Sequence, residues 1–160
     1  MMRIGQGFDV HRTEPGEGMT LGGLWVPCDL QIVAHSDGDI VLHALMDAML
    51  GSLALGDIGQ LFPDSDPRFQ GADSASLTQE VLALCLTRGY SPSNVDLTIL
   101  CEQPKIGPIR DAMRGCIAEV LHMTRDTVSV KATTTERLGF VGRGEGIAVM
   151  ASVLMHSHGT

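Results

Sequence analysis

The segment Gly5-Gln6-Gly7-Phe8-Asp9-Val10-His11 overlaps and just outruns a stretch, Arg3 to Val10, that reads as a β-strand. Side chains on a strand alternate faces with a period of two, so Asp9 and His11 project to one side and can grip a single ion, while Val10 points the other way, into packing. A short way on, Asp39-Ile40-Val41-Leu42-His43-Ala44-Leu45-Met46-Asp47-Ala48-Met49-Leu50 reads as a helix, its start signalled by Ser36, Asp37 or Asp39 as N-cap. His43 therefore projects from a rigid element. A fold that lays this helix on that strand brings Asp9, His11 and His43 together as a three-ligand metal site. Two imidazoles and one carboxylate suit a borderline divalent ion, zinc first, and three protein ligands leave a position for a substrate oxygen. Asp47, four residues after His43 on the same helix face, is expected to fix the imidazole tautomer. Ala34 to Asp37 is expected to form an anion cradle, with His35 and Ser36 at a helix N-terminus where free N–H groups and the dipole favour negative charge.

Beyond these two stretches, strands alternate with helices and no low-complexity linker intervenes. Thr13 to Gly18 reads as a turn-rich loop and Met19 to Leu24 as a returning strand. Gly56 to Asp73 reads as a long loop around Phe62-Pro63-Asp64-Ser65-Asp66-Pro67, and so long a stretch without regular structure is usually functional or mobile. A second helix is predicted from Ser74 to Arg88, with Leu77, Val81, Leu84 and Cys85 on one face and Gly89 as its stop. Val95, Leu97, Ile99 and Cys101 alternate as a strand, and Pro104 to Pro108 breaks it. The third helix presents Ile109, Met113, Cys116, Ile117 and Val120. Val128, Val130 and Ala132 mark another strand, and Ile147 to Leu154 a last one. The order ββααβαββ predicts an α/β sandwich, a mixed β-sheet with helices on one face.

Composition narrows the function classes. A chain of 160 residues makes one ordinary catalytic domain, residues 1–160, able to bury a core without staples. A net charge of -8, with one Trp and one Tyr, argues against nucleic-acid binding, which needs a basic patch and stacking aromatics. It does not exclude a phosphorylated substrate, because bound divalent cations reverse the sign of the local field. Cys28, Cys85, Cys101 and Cys116 stand far apart without a C-x-x-C pair and read as small hydrophobes in a reducing compartment. The apolar stretch from Ile40 to Leu55 is interrupted by His43 and Asp47 and falls short of the roughly 20 apolar residues of a membrane span. With no signal peptide before Arg3, a cytoplasmic location is expected, with no membrane partner.

Six segments occur in a telling order: Gly7-Phe8-Asp9-Val10-His11, Ala34-His35-Ser36-Asp37-Gly38-Asp39, Leu55-Gly56-Asp57-Ile58-Gly59, Leu61-Phe62-Pro63-Asp64, Lys131-Ala132-Thr133-Thr134-Thr135-Glu136, and Leu138-Gly139-Phe140 with Gly142-Arg143-Gly144-Glu145-Gly146. From Arg3 to Ala148 the chain thereby resembles the 2-C-methyl-D-erythritol 2,4-cyclodiphosphate synthases of the non-mevalonate isoprenoid pathway. The resemblance implies a homotrimer in which three sheets surround a threefold axis, covering the sheet face that the helices leave open. It implies metal-dependent, intramolecular phosphoryl transfer. The substrate is cytidine diphosphate-linked, 4-diphosphocytidyl-2-C-methyl-D-erythritol carrying a 2-phosphate. That phosphate attacks the β phosphorus, closing a cyclic diphosphate and releasing CMP.

The resemblance also assigns residues. Asp9, His11 and His43 would bind zinc, and Glu136 a magnesium or manganese ion, a hard cation suited to carboxylate oxygen. His35 and Thr134 would stabilise developing charge, with Ser36, Thr133 and Thr135 contributing hydroxyls to the phosphates. Asp57, Ile58, Gly59, Phe62, Asp64 and Asp66 would hold the erythritol and its 2-phosphate side. Cys101, Lys105, Ile106 and Gly107, with Ala132 beside them, would form the cytosine and phosphate loop. Phe140 and Arg143, with Phe8 and Glu145, would line a cavity on the threefold axis. The chain departs from the family pattern at Gly107, where a bulkier apolar residue is usual, and at Gln6, where His is common. Two other classes fit the same residues: a zinc-dependent phosphoesterase delivering water from the Asp9, His11, His43 site, and a trimeric binding protein for isoprenoid phosphates.

Overall fold

The computed structural model describes residues 1–158. The long strand β1 (Met2–Pro15) pairs antiparallel along its length with the last strand, β7 (Gly146–Ser157), and β7 pairs antiparallel with β5 (Tyr90–Leu100). β5 runs parallel to β6 (Val128–Thr133), and the short β4 (Leu30–Ile32) closes the other edge on β1. The sheet order β4-β1-β7-β5-β6 is therefore mixed, as predicted. The helices α1 (Ile40–Ser52), α3 (Ser74–Thr87) and α4 (Arg110–Leu121) follow the predicted segments to within a residue or two and pack against β1 and β7, β5, and β6. Among the described residues no helix is long and apolar enough to cross a membrane.

Two parts of the chain depart from expectation. Met19 to Leu24 is not one strand: it turns back at Gly22-Gly23, giving a separate hairpin of β2 (Gly18–Leu21) and β3 (Leu24–Pro27). Both glycines have positive φ, 62° and 79°, the requirement of a tight two-residue hairpin turn whose twist matches its strands. The loop from Gly56 to Asp73 is also more ordered than predicted, since it holds a single helical turn, α2 (Ile58–Leu61), and a 3₁₀ turn at Pro67–Phe69. Asp57 and Asp66 start these turns, each accepting a backbone N–H.

What fixes the geometry near the future site is the approach of α1 to β1. A Cβ on Gly5 would stand 1.8 Å from the Ala48 carbonyl oxygen, and one on Gly7 1.9 Å from that of Ala44. Only glycine lets the helix backbone lie directly on the strand. The next residue on that face of β1 is Asp9, and the neighbouring helix position is His43. α1 is apolar nearly all round because the sheet covers one side and α3 another; Leu42, Leu45, Met46 and Met49 are fully buried. Each contributes about 1.5–3 kcal/mol from burial.

Among the described residues no long helix covers the opposite face of the sheet. Ile4, Phe8 and Met150 stand exposed there, Ile4 to 76 %. Val10 belongs to that face and is 43 % exposed, so it is not packed within the chain as predicted. The four cysteines are free, and burial pushes the Cys85 and Cys101 thiols up to about 11, in keeping with their reading as hydrophobes.

Candidate active site

Asp9 and His11 emerge from β1 on the side facing α1, where they meet His43. Asp9 Oδ2 lies 3.2 Å from His11 Nδ1 and 3.4 Å from His43 Nδ1. The other carboxylate oxygen, Oδ1, is held by the backbone N–H of Val10 at 2.8 Å, which turns Oδ2 toward the two rings. The candidate ligand atoms lie within 4.8 Å of one another. His11 Nδ1 is buried without a hydrogen-bond partner, and a buried polar nitrogen left in that state points to a missing partner. Burial pushes the Asp9 carboxyl up, yet the pull of the neighbouring His11 and His43 rings outweighs it and holds it down at about 2. An ionised carboxylate beside two imidazole nitrogens fits a divalent metal ion.

His43, buried near the start of α1, is braced from behind. Its Nε2 lies 3.0 Å from Ser74 Oγ and 3.3 Å from Ser36 Oγ. Asp47 does not perform this task, contrary to expectation: its Oδ1 accepts the Ile58 N–H at 2.8 Å and so pins the start of α2. Burial raises the Asp47 carboxyl above its ordinary range, and the Ile58 bond opposes that rise.

The predicted anion cradle is also used differently. The N–H of Asp37 donates to Ala72 O, that of Gly38 to Ser36 Oγ, and that of Asp39 to Asp37 Oδ1. Asp39, the actual N-cap, puts its Oδ1 on the Leu42 N–H at 3.1 Å and also takes the Gly22 and Gly23 N–H groups. The helix start is thus occupied by the chain's own carboxylate, which leaves the side chains of His35 and Ser36 to face a ligand. Burial pushes the Asp39 carboxyl up to about 6 against these three N–H donors.

A cavity of about 650 Å³ opens over the cluster, and Asp9, His11, His43, His35, Ser36, Ile58, Gly59, Phe62 and Asp64 all line it. Asp57 and Asp66 do not; they serve as the caps of α2 and the 3₁₀ turn. The remaining predicted residues gather elsewhere, at the carboxyl ends of the parallel strands β5 and β6. There the Cys101 N–H donates to Thr133 O, and Glu102 Oε1 accepts from the N–H groups of Thr135 and Arg137. The loop Cys101 to Gly107 and the segment Ala132 to Glu136 are therefore neighbours, with Ile106 buried and Lys105 and Glu136 exposed. Glu136 and Arg137 both hold left-handed backbone, φ 53° and 63°. Phe140 sits on α5 (Gly139–Gly142), and Arg143 just after it pairs with Glu145 at 2.9 Å. None of this second group lines the cavity of the same chain.

Residues 2–156 match the YgbB family. The chain belongs to the YgbB family. Family relatives include the 2-C-methyl-D-erythritol 2,4-cyclodiphosphate synthases of Pseudomonas paraeruginosa, 57% identical over 96% of this chain and 98% of theirs, and of Xanthomonas oryzae, 58% identical over 96% of this chain and 94% of theirs. Among solved structures, the chain resembles the bifunctional IspDF of Campylobacter jejuni with a TM-score of 0.95 and 39% identity, covering 99% of this chain and 43% of that longer one. It also resembles IspF of Plasmodium falciparum in complex with CDP, with a TM-score of 0.87 and 34% identity over 99% of this chain and 97% of that one.

In this YgbB chain the Asp9, His11, His43 cluster is legible in the sequence, whereas Ser74 is not. A Ser at the first position of a helix carries no pattern that distinguishes it from an ordinary first-turn residue. Only the packing of α3 against α1 brings its hydroxyl to the back of His43.

Proposed function

We propose that this chain is a 2-C-methyl-D-erythritol 2,4-cyclodiphosphate synthase, acting in isoprenoid precursor formation as a single catalytic domain. The observation that carries the reading is the convergence of Asp9, His11 and His43 at the mouth of the cavity in a chain matched end to end by synthases of that name. Zinc is the ion proposed for this cluster, and magnesium or manganese the ion for Glu136, completed there by substrate phosphates. When bound, these ions neutralise diphosphate charge and act as Lewis acids.

The chain's own groups then position and stabilise. Asp64 with Ile58 and Gly59, on the turn that Asp57 caps, hold the erythritol end, with Phe62 as its apolar wall. An oxygen of the substrate's 2-phosphate attacks the β phosphorus; the new P–O bond forms as the bond from β phosphorus to the CMP oxygen breaks. No protein nucleophile is needed, so catalysis rests on in-line placement and on His35 and Thr134 meeting the charge that develops on phosphate oxygens. Lys105 is assigned to a phosphate and the Cys101 to Gly107 loop to cytosine, and the CDP complexes of similar proteins support a cytidine-linked substrate.

The cavity and the Cys101 to Gly107 loop stand apart in one chain, and an apolar sheet face lies uncovered. Both features support a homotrimer in which the cavity of one subunit meets the loop of the next. The test is turnover of the cytidyl substrate followed by phosphorus NMR. A cyclic diphosphate with CMP is expected; a linear phosphate product favours the phosphoesterase, and binding without turnover the isoprenoid-phosphate carrier. For the shared site, His43→Ala and Lys105→Ala chains are co-expressed. Mixed trimers should regain activity above either parent, and a monomer by light scattering or no regain overturns the sharing.

A further inference from the structure

Behind His43 lies a group that neither the cavity nor the family pattern singles out. Ser74 is fully buried at the first turn of α3, and its Oγ stands 3.0 Å from His43 Nε2. The same hydroxyl is hydrogen-bonded to Asp37 Oδ1, while the Ser74 backbone N–H donates to Asp37 Oδ2 at 2.8 Å. The protons can be counted. A carboxylate oxygen only accepts, so the single hydroxyl proton of Ser74 is committed to Asp37. What Ser74 Oγ turns toward His43 is then a lone pair. A contact of 3.0 Å is favourable only if Nε2 carries the imidazole proton, and with the proton on Nδ1 two lone pairs would face each other in a buried setting. Ser36 Oγ, 3.3 Å from Nε2, accepts from the Gly38 N–H and keeps a second lone pair that can share the same Nε2 proton.

We infer that Ser74 and Asp37 are positioning residues: the chain Asp37, Ser74, His43 fixes the Nε2–H tautomer and leaves Nδ1, 3.4 Å from Asp9 Oδ2, free to ligate the ion that both atoms would share. This inference rests on the metal reading of the Asp9, His11, His43 cluster. Neutral imidazole can ligate through either nitrogen, and the nitrogen used is the one whose partner is held elsewhere. The device also ties three separate elements to the site, because Asp37 belongs to the loop before α1, Ser74 to α3 and His43 to α1. The same loop carries His35, whose carbonyl accepts the Gly71 N–H. α3 and the His35 loop are thereby held in register with the ligand.

The test uses full-length chain labelled with ¹⁵N-histidine, in the presence and absence of zinc, together with a zinc competition titration against a chromophoric chelator. In the zinc-free wild type, long-range ¹H–¹⁵N spectra should show the His43 proton on Nε2. Ser74→Ala should abolish that preference and weaken zinc about 10–100-fold. Alanine is a better helix former than serine, so α3 itself should persist. Asp37→Asn is the second variant. Its amide can donate to Ser74 Oγ, freeing the hydroxyl proton to point at His43 and shifting the proton to Nδ1, with a loss of zinc affinity of similar size. A merely structural role for Ser74 or Asp37 moves stability and leaves the tautomer alone. A wild-type His43 protonated on Nδ1, or a Ser74→Ala chain that binds zinc as tightly as wild type, overturns the inference while the metal reading stands. A wild-type chain that retains no divalent ion overturns both.

Discussion

The cavity half and the loop half of the site are built on opposite principles. At the cavity, β1 and α1 touch backbone to backbone through Gly5 and Gly7, and His43 Nε2 is held by Ser74 and Ser36 from behind. At the carboxyl ends of β5 and β6, and in the turn before β7, Lys105, Glu136 and Arg143 are exposed, and Glu136 and Arg137 hold left-handed backbone. The metal half is preorganised, so it can hold ligands in place before anything binds. The loop half stands open to solvent. Rigid packing is where the three-ligand geometry can be guaranteed; a loop at the ends of parallel strands is where a nucleotide can enter.

The comparison breaks most severely at Gly7. Gly7→Ala drives a Cβ into the Ala44 carbonyl, so α1 must lift from β1, with an expected loss of about 3 kcal/mol or more. Urea denaturation checks this, and zinc should be lost along with stability; an unchanged midpoint would show that the glycines do not set the approach. Next comes His43→Ala, which removes one of three ligands. Turnover should fall about 10³-fold and elemental analysis should find no retained zinc, while far-UV circular dichroism stays native. A full zinc complement would remove His43 from the ligand set.

Glu136→Gln probes the open half. It should lower turnover about 10–100-fold and flatten the magnesium dependence without displacing zinc, because Glu136 lies outside the cavity. Loss of zinc in this variant would mean that the halves are not separable. The smallest effect concerns the N-cap. Burial pushes the Asp39 carboxyl up to about 6 in the folded chain, against the ordinary 3.8 of a free Asp. Between those values the folded chain holds a proton that the unfolded chain has released. Its stabilising contribution is complete below about pH 4 and is lost as pH rises through 6. The stability of wild type relative to Asp39→Asn should therefore fall by the order of 2 kcal/mol over that window. A difference that stays flat from pH 4 to 7 would place Asp39 outside the titration.

The alternation of Asp9 and His11, the helix carrying His43, the mixed sheet and all three long helices were legible in the sequence, because strand and helix periods are local properties of the chain. Six ordered segments were enough to show which family they resemble. Tertiary structure decided the rest. Asp47 has the spacing to serve His43, yet the Ile58 N–H takes its carboxylate. Ser74 has no such spacing, and the packing of α3 on α1 brings it into hydrogen-bond range. Asp39, one of three candidate caps, was chosen because it alone reaches Leu42, Gly22 and Gly23 together. Val10 was expected in packing, but among the described residues no long helix covers its face of the sheet. Periodicity tells which way a side chain points. It does not tell what stands opposite, because that is fixed by contacts between residues far apart in the chain.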